Sequence, residues 1–135
     1  MGLIMTPLKK AYMSLIKGVA RANEHPHDLE VRDGCIQRFE YTYDLSIKFM
    51  KRYLEQESSV TEKIDQLNFR DLLRIAGEVG LIQQVTLWFA FREARNNTSH
   101  TYNEDKAQEV FQTIPAFLKE AEFLIAELEK RSAPP

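Results

Sequence analysis

The chain is poor in the residues that break up secondary structure. Its 135 residues include one cysteine, five prolines and five glycines. With a single cysteine, Cys35, there is no internal disulfide framework, which fits a reducing compartment. The prolines stand at positions 7, 26, 115, 134 and 135, so the stretch from 27 to 114 contains none. The glycines, at 2, 18, 34, 77 and 80, never pair. A β-sandwich or barrel needs a turn signal about every 8–12 residues, and their scarcity here excludes an all-β fold. No apolar run approaches the roughly 18 residues of a membrane span. The segment MGLIMTPLKK carries its positive charges after a short apolar stretch and has no cleavage site, so no signal peptide is expected. The default expectation is cytoplasmic, without membrane association. A Gly-rich phosphate loop, an HExxH pair and a Cys/His metal set are all missing, so neither metal nor cofactor is expected. Eighteen basic residues against 20 acidic ones give −2, and no strong overall field draws the chain to nucleic acid or membrane.

What remains is 44% apolar and 28% charged, the balance of a globular protein. A chain of this length buries about two-thirds of its unfolded surface, enough for one core. One domain over 1–135 is expected, with its core at about 5–131.

Apolar spacing at three and four residues predicts five helices. Residues 8–22 start after Thr6-Pro7, read as an N-cap followed by a helix-starting proline. Residues 29–57 form the longest periodic run, with Leu29, Ile36, Phe39, Tyr43, Ile47, Met50 and Leu54 on one stripe and Asp28 as cap. At 1.5 Å per residue this helix is about 43 Å long, which predicts an overhang or packing against a second chain. Gly34, near its start, is read as a point of close helix–helix approach. Asn68 caps a helix ending at Val79, and Gly80 is its stop signal. A fourth helix covers 84–97. The tract at 96–103 favours a break or tightening, Thr101-x-x-Glu104 matches a capping box, and 104–131 is the last helix, with Pro115 expected to kink it. Ser132 to Pro135 reads as a frayed tail. The fold class is all-α, an up-and-down bundle with two short helices between two long ones.

Most single residues read as structural. His25 and His27 flank Pro26 in a loop without the further ligands a metal needs. Cys35 and Trp88 read as core. One segment stands apart: Arg92, Arg95, Asn96, Asn97, Thr98, Ser99, His100, Thr101 and Tyr102 crowd into eleven residues. On an ideal helix Arg95 and His100 stand about 140° apart, so they converge only where the backbone tightens. Histidine moves protons at neutral pH. Arginine clamps a phosphate and stabilises developing charge, while asparagine and serine donate to the same oxygens. Such a group suits phosphodiester cleavage without a metal. From spacing alone, a polar helix end with capping side chains is the preferred reading.

Arg95-x4-His100, extended to Tyr102 as R-x4-H-x-Y, matches the signature of HEPN domains. Together with RDGCIQRFEYTYDLSIK at 32–48 and the run from Gly80 to Tyr102, it resembles the HEPN subfamily of nucleotidyltransferase substrate-binding proteins, over roughly residues 5–130. Ile47 departs from the family pattern, which has a bulky aromatic there. The resemblance implies a helical bundle that dimerises, bringing two R-x4-H motifs into one cleft. It implies a metal-independent ribonuclease acting as the toxin of a toxin–antitoxin pair, with a minimal nucleotidyltransferase encoded nearby as partner. Arg95 and His100 become the catalytic pair. Arg92, Asn96 and Ser99 support them on the substrate. Tyr102 becomes the acceptor of an AMP group that would block the RNA phosphate. The older family name implies an alternative, a non-catalytic subunit that presents a substrate or nucleotide to the transferase. A third reading is a dimeric scaffold without ligand.

Overall fold

A computed structural model describes residues 2–132. Among them are five α-helices and no strands: α1 (Thr6–Glu24), α2 (Leu29–Gln56), α3 (Phe69–Glu78), α4 (Val85–Asn97) and α5 (Glu104–Ser132). Two short 3-10 helices, Ile64–Gln66 and Thr98–His100, sit in the connections. No helix of the described residues is long and apolar enough to cross a membrane.

Local signals set most boundaries. The Asp28 carboxylate accepts from the backbone N–H groups of Glu30 and Val31 at 3.0 and 3.1 Å and caps α2. Asn68 does the same for α3 through Asp71 N–H at 2.8 Å. Gly80 adopts φ 77°, with Gly80 N–H on the Gly77 carbonyl and Leu81 N–H on the Ala76 carbonyl. This paired closure satisfies orphan carbonyls of α3 in a left-handed geometry that glycine accepts without strain.

Two expected caps are corrected. Thr6 is the first residue of α1 rather than its cap, and Met5, which occupies the cap position, makes no side-chain bond. Thr101 does not cap α5: the Asn103 side chain accepts from Lys106 N–H at 3.2 Å. The chain leaves the 3-10 turn only at Thr101–Asn103, and an Asx cap is best placed at the last non-helical residue. Pro115 lies inside α5 without interrupting it. Ser132 closes α5, and the rest of the expected tail, 133–135, lies outside the described residues.

α1 lies along α2, α5 packs across α1, α2 and α4, and α3 sits against α2 and α4. Buried residues run along α2 from Arg32 to Leu54, so its length is accounted for within the chain and carries no argument for a second copy. Leu29, expected on the apolar stripe, is the first residue of α2 and is 53% exposed. The close helix approach is at Gly18, not Gly34. A Cβ on Gly18 would stand 3.1 Å from Arg38 Cδ and 3.6 Å from Cys35 Cα, whereas one on Gly34 would meet nothing within 4 Å. Small residues line this α1–α2 contact, including Ala11, Thr42 and Ser46, and the two hydroxyls bond to backbone carbonyls.

The core centres on Phe117. Its ring meets Phe39, Phe91 and Trp88 edge-to-face at centroid distances of 5.1, 5.3 and 5.9 Å. Each such pair adds about 0.5–1.5 kcal/mol beyond the area it buries. Tyr43 joins from α2, 6.4 Å from Trp88 and 6.3 Å from Phe117. This cluster locks α4 to α2 and α5, so whatever α4 carries on its outer side is held against a rigid wall. Cys35, in the same core, is 1% exposed, and burial pushes its thiol up to about 11.

Candidate functional site

Arg95 lies in the last turn of α4 and reaches across to α2. Its Nε donates to Asp44 Oδ1 at 2.8 Å and its Nη2 to Asp44 Oδ2 at 3.1 Å, a two-pronged pair. Its Nη1 stands 3.3 Å from Glu40 Oε2 and donates to Thr98 Oγ1 at 3.3 Å. Glu40 and Asp44 are four residues apart, which puts both carboxylates on one face of α2. Thr98 completes the network: its hydroxyl lies 2.5 Å from Glu40 Oε2 and 2.7 Å from the Arg95 carbonyl. The hydrogen bond to Asp44 is the main reason that the Arg95 guanidinium is held above its already high pKa. Three of its N–H directions are committed to this network.

The tightening expected near 96–103 is present, and its causes are visible. The Thr98 hydroxyl approaches the Arg95 carbonyl, and the Ser99 hydroxyl donates to the Asn96 carbonyl at 3.4 Å. Side chains that compete for backbone carbonyls convert the end of α4 into the 3-10 turn Thr98–His100. His100 closes that turn and is exposed. Its ring lies 6.1 Å from the Tyr102 ring at 80°. Tyr102 is 86% exposed, the most accessible large hydrophobic side chain of the described residues. The following helix start is anchored from below: Arg32, 7% exposed on α2, donates to Glu104 of α5 and also to Asp33.

Of the six residues singled out in the sequence, five fall in two neighbouring groups. His100 and Tyr102 stand together on the turn. Arg95, Arg92 and Asn96 line a groove of about 530 Å³ between α2 and α4. Ser99 is exposed on the turn and lines neither. No hydrogen bond joins Arg95 to His100: the first faces α2, the second faces Tyr102 and solvent. Arg92 lays its guanidinium over the Phe69 ring at 4.3 Å, a stacked cation–π contact.

Sequence reasoning missed Glu40 and Asp44, which hold Arg95, the part Thr98 plays in that network, and Tyr43, Lys48 and Lys51 on the groove wall. A signal existed: Glu40, Asp44 and Lys48 repeat at four residues, a polar stripe along the longest helix. Among the described residues no three His, Cys, Asp or Glu side chains gather to hold a metal.

Three comparisons place this geometry among known proteins. A family model described as "Nucleotidyltransferase substrate binding protein like" matches residues 4–130. The chain is 46% identical over 99 residues to "Probable ribonuclease HepT" of Haemophilus influenzae, covering 73% of this chain and 68% of that protein. It superposes with a TM-score of 0.86 at 36% identity on a Haemophilus influenzae structure described as the fold of a substrate binding domain of a nucleotidyltransferase, covering 93% of this chain and 99% of that one. A Thermus thermophilus structure matches with a TM-score of 0.65 at 30% identity, over 84% of this chain and 98% of that one.

Proposed function

The chain belongs to the family of nucleotidyltransferase substrate-binding proteins, with a HEPN-like fold, and from that premise we propose that it is a metal-independent ribonuclease governed by a nucleotidyltransferase partner. Arg95 and His100 are its catalytic pair. His100 moves the proton of the attacking or leaving oxygen, and Arg95 stabilises the charge that develops on the phosphate. Arg92, Asn96 and Ser99 support the substrate. Two copies form the working cleft, each supplying one pair. As the toxin of a toxin–antitoxin pair, the chain is silenced when the partner places AMP on Tyr102, adding bulk and negative charge beside His100.

The observation that carries this reading is the turn itself. His100 is exposed and stands edge-on to the most accessible tyrosine of the fold, one helical turn beyond an arginine braced at a groove. A proton-transfer group needs access to substrate, and a modification site needs access to a second enzyme. The test is RNA cleavage by the purified protein, alone and with the partner. His100→Ala and Arg95→Ala should each abolish cleavage while the thermal transition stays in place. Mass spectrometry after co-expression should find AMP on Tyr102, and an unmodified Tyr102 would remove the regulatory part.

The alternative, a non-catalytic subunit that presents a nucleotide to the transferase, draws on one specific observation. Arg95 is held by two carboxylates, and a guanidinium so neutralised is a weaker phosphate clamp than a free one. This reading expects partner binding and no RNA cleavage.

A further inference from the structure

A charged group lies where the packing of α2 calls for an apolar one. Arg32 precedes Cys35, Ile36 and Phe39 on the buried side of α2 and is 7% exposed. Taking a guanidinium out of water is repaid only when its N–H groups are well paired, and an apolar side chain of similar volume often serves stability as well. Such a pair is weak as a stabiliser and strong as a fixture of geometry, because the planar fork holds its partners in set directions. The neighbouring Asp33 aims the fork. Arg32 Nε and Nη2 donate to Asp33 Oδ1 at 3.1 and 3.0 Å, which leaves Nη1 to donate to Glu104 Oε1. This last bond is the main reason that the guanidinium is held above its ordinary pKa. Glu104 is the first residue of α5, so one buried side chain ties the start of α5 to α2.

That start is also where the turn bearing His100 and Tyr102 ends. Glu104 follows Tyr102 by two residues and His100 by four. The other end of the turn is held on α2 as well, by Arg95 on Asp44 and Glu40 and by Thr98 on Glu40. Between these anchors the turn bonds only to its immediate neighbours. Ser99 donates to the Asn96 carbonyl, the Asn103 side chain accepts from Lys106 N–H, and Asn103 N–H donates to the His100 carbonyl at 3.0 Å. Among the described residues no side-chain hydrogen bond of 99–103 reaches α2. Arg32 and Glu40 are eight residues apart, about 12 Å along the helix. A bridge clamped at both ends keeps its place over α2. Released at one end, it swings about the other.

We infer that Arg32 is a positioning residue for the turn bearing His100 and Tyr102: through its bond to Glu104 it fixes where both side chains stand. This deepens the ribonuclease reading and rests on it for the catalytic readout alone, since the placement of the turn is a property of the chain with or without that activity. A merely structural Arg32 would spread its effect over the core around α2. A positioning one confines it to the turn and the first turn of α5. A carboxylate at the start of a helix also stabilises it through the helix dipole. Asp105 shares the first turn of α5 and forms no ion pair among the described residues, so it serves as the control for that effect.

The experiment uses the full chain carrying Glu104→Ala, which removes the acceptor at a side chain that is 61% exposed and leaves the core intact. Amide hydrogen exchange is followed by NMR at Asn103, Lys106 and Ala107, whose N–H groups close the turn and the first turn of α5. Their exchange should rise about tenfold, the effect of one lost charged hydrogen bond, with the other helices unchanged. In RNA cleavage kcat should fall about tenfold while KM stays within about twofold, because the reacting groups are misplaced and the binding surface is kept. Arg32→Lys keeps the charge but not the fork and should give the same local pattern. The double variant should lose no more than the worse single one, since both break the same bond. Asp105→Ala should change neither readout by more than about twofold. Thermal melts confirm that each variant is folded, and the exposed Glu104 keeps the test decisive if Arg32→Lys lowers stability. The inference is overturned if Glu104→Ala leaves exchange at the three amides unchanged, raises it in every helix, or raises it locally with kcat intact. It is equally overturned if Asp105→Ala reproduces the effect. If the parent cleaves no RNA, the ribonuclease reading falls and exchange alone decides the role of Arg32.

Discussion

Two open grooves flank α2, and both are rimmed by cations. The one shared with α1 is about 600 Å³ and is lined by Lys9, Lys10, Lys17 and Arg38 with no carboxylate. The one shared with α4 is similar in size and holds Lys48, Lys51, Arg92 and Arg95. By charge alone the α1 side is the stronger candidate. α1 carries four cations against one carboxylate, which leaves 14 against 19 for the rest of the chain. The difference lies in what stands beside the cations. On the α1 side Arg38 donates to the Ser14 carbonyl at 2.8 Å, the Tyr41 and Ser14 hydroxyls pair at 2.6 Å, and Lys9 bonds Glu129 at 2.9 Å. On the α4 side Arg95 is braced by Glu40 and Asp44, Arg92 lies over Phe69, and the turn bearing His100 follows at once. Lys10 and Lys17 on one side and Lys48 and Lys51 on the other make no ion pair among the described residues, so free cations do not rank the grooves; the braced arginine beside the exposed histidine does.

The largest effect expected from breaking this contrast is at the turn beside the α4 groove. His100→Ala should lower RNA cleavage by at least about 100-fold, the usual worth of a positioned acid–base group. A variant that cleaves at the parent rate would remove His100 from the chemistry.

A smaller effect comes from the ionisable group at the floor of the α1 side. Cys35 has its pKa raised by burial from 9.0 to about 11. The unfolded chain therefore loses this proton first, and the thiol's contribution to folding stability should be flat below pH 9 and fall between pH 9 and 11. The fall attributable to the thiol is roughly 2–3 kcal/mol at most. Urea midpoints at pH 8 and pH 10 should diverge less in Cys35→Ala than in the parent. The same burial predicts slow reaction with thiol reagents in the native state.

The two glycines of this region separate tight from open packing. Gly34→Ala should stabilise the fold by up to about 1 kcal/mol, because a helix interior gains a better former and the added methyl meets nothing. Gly18→Ala should gain less or lose, because its Cβ presses on Arg38 Cδ at 3.1 Å. Equal gains in thermal unfolding would show that α1 and α2 are not held closely at Gly18. The smallest effect is expected on the α1 rim itself: Lys10→Gln with Lys17→Gln should change RNA cleavage less than twofold. A tenfold loss would reverse the ranking of the two grooves.

The sequence spoke most clearly where a signal is local. Asp28, Asn68 and Gly80 acted as their positions imply, because a cap or a left-handed stop involves residues within one helical turn. The stripe Ala107, Val110, Ile114, Phe117, Ala121, Leu124 and Leu128 is buried as its period requires. The tightening at 98–100 followed from a run of side chains that compete for backbone carbonyls. Local signals also misled. Thr101-x-x-Glu104 has the letters of a capping box, but Asn103 stood closer to the first helical residue and took the role.

By itself the sequence determined an all-α chain, the order of its helices, and a polar turn bearing Arg95, His100 and Tyr102, because periodicity and caps are read within a few residues. Only the tertiary structure decided that Asp44 and Glu40, 51 and 55 positions before Arg95, would hold its guanidinium, or that Gly18 rather than Gly34 would mark the close approach. It also decided that Tyr43, one more apolar position on the α2 stripe, would pack its ring by Trp88 and Phe117 and also reach the groove between α2 and α4. Those outcomes depend on which faces of distant helices meet, and that is set by packing the whole core around Phe117 rather than by any local run of residues.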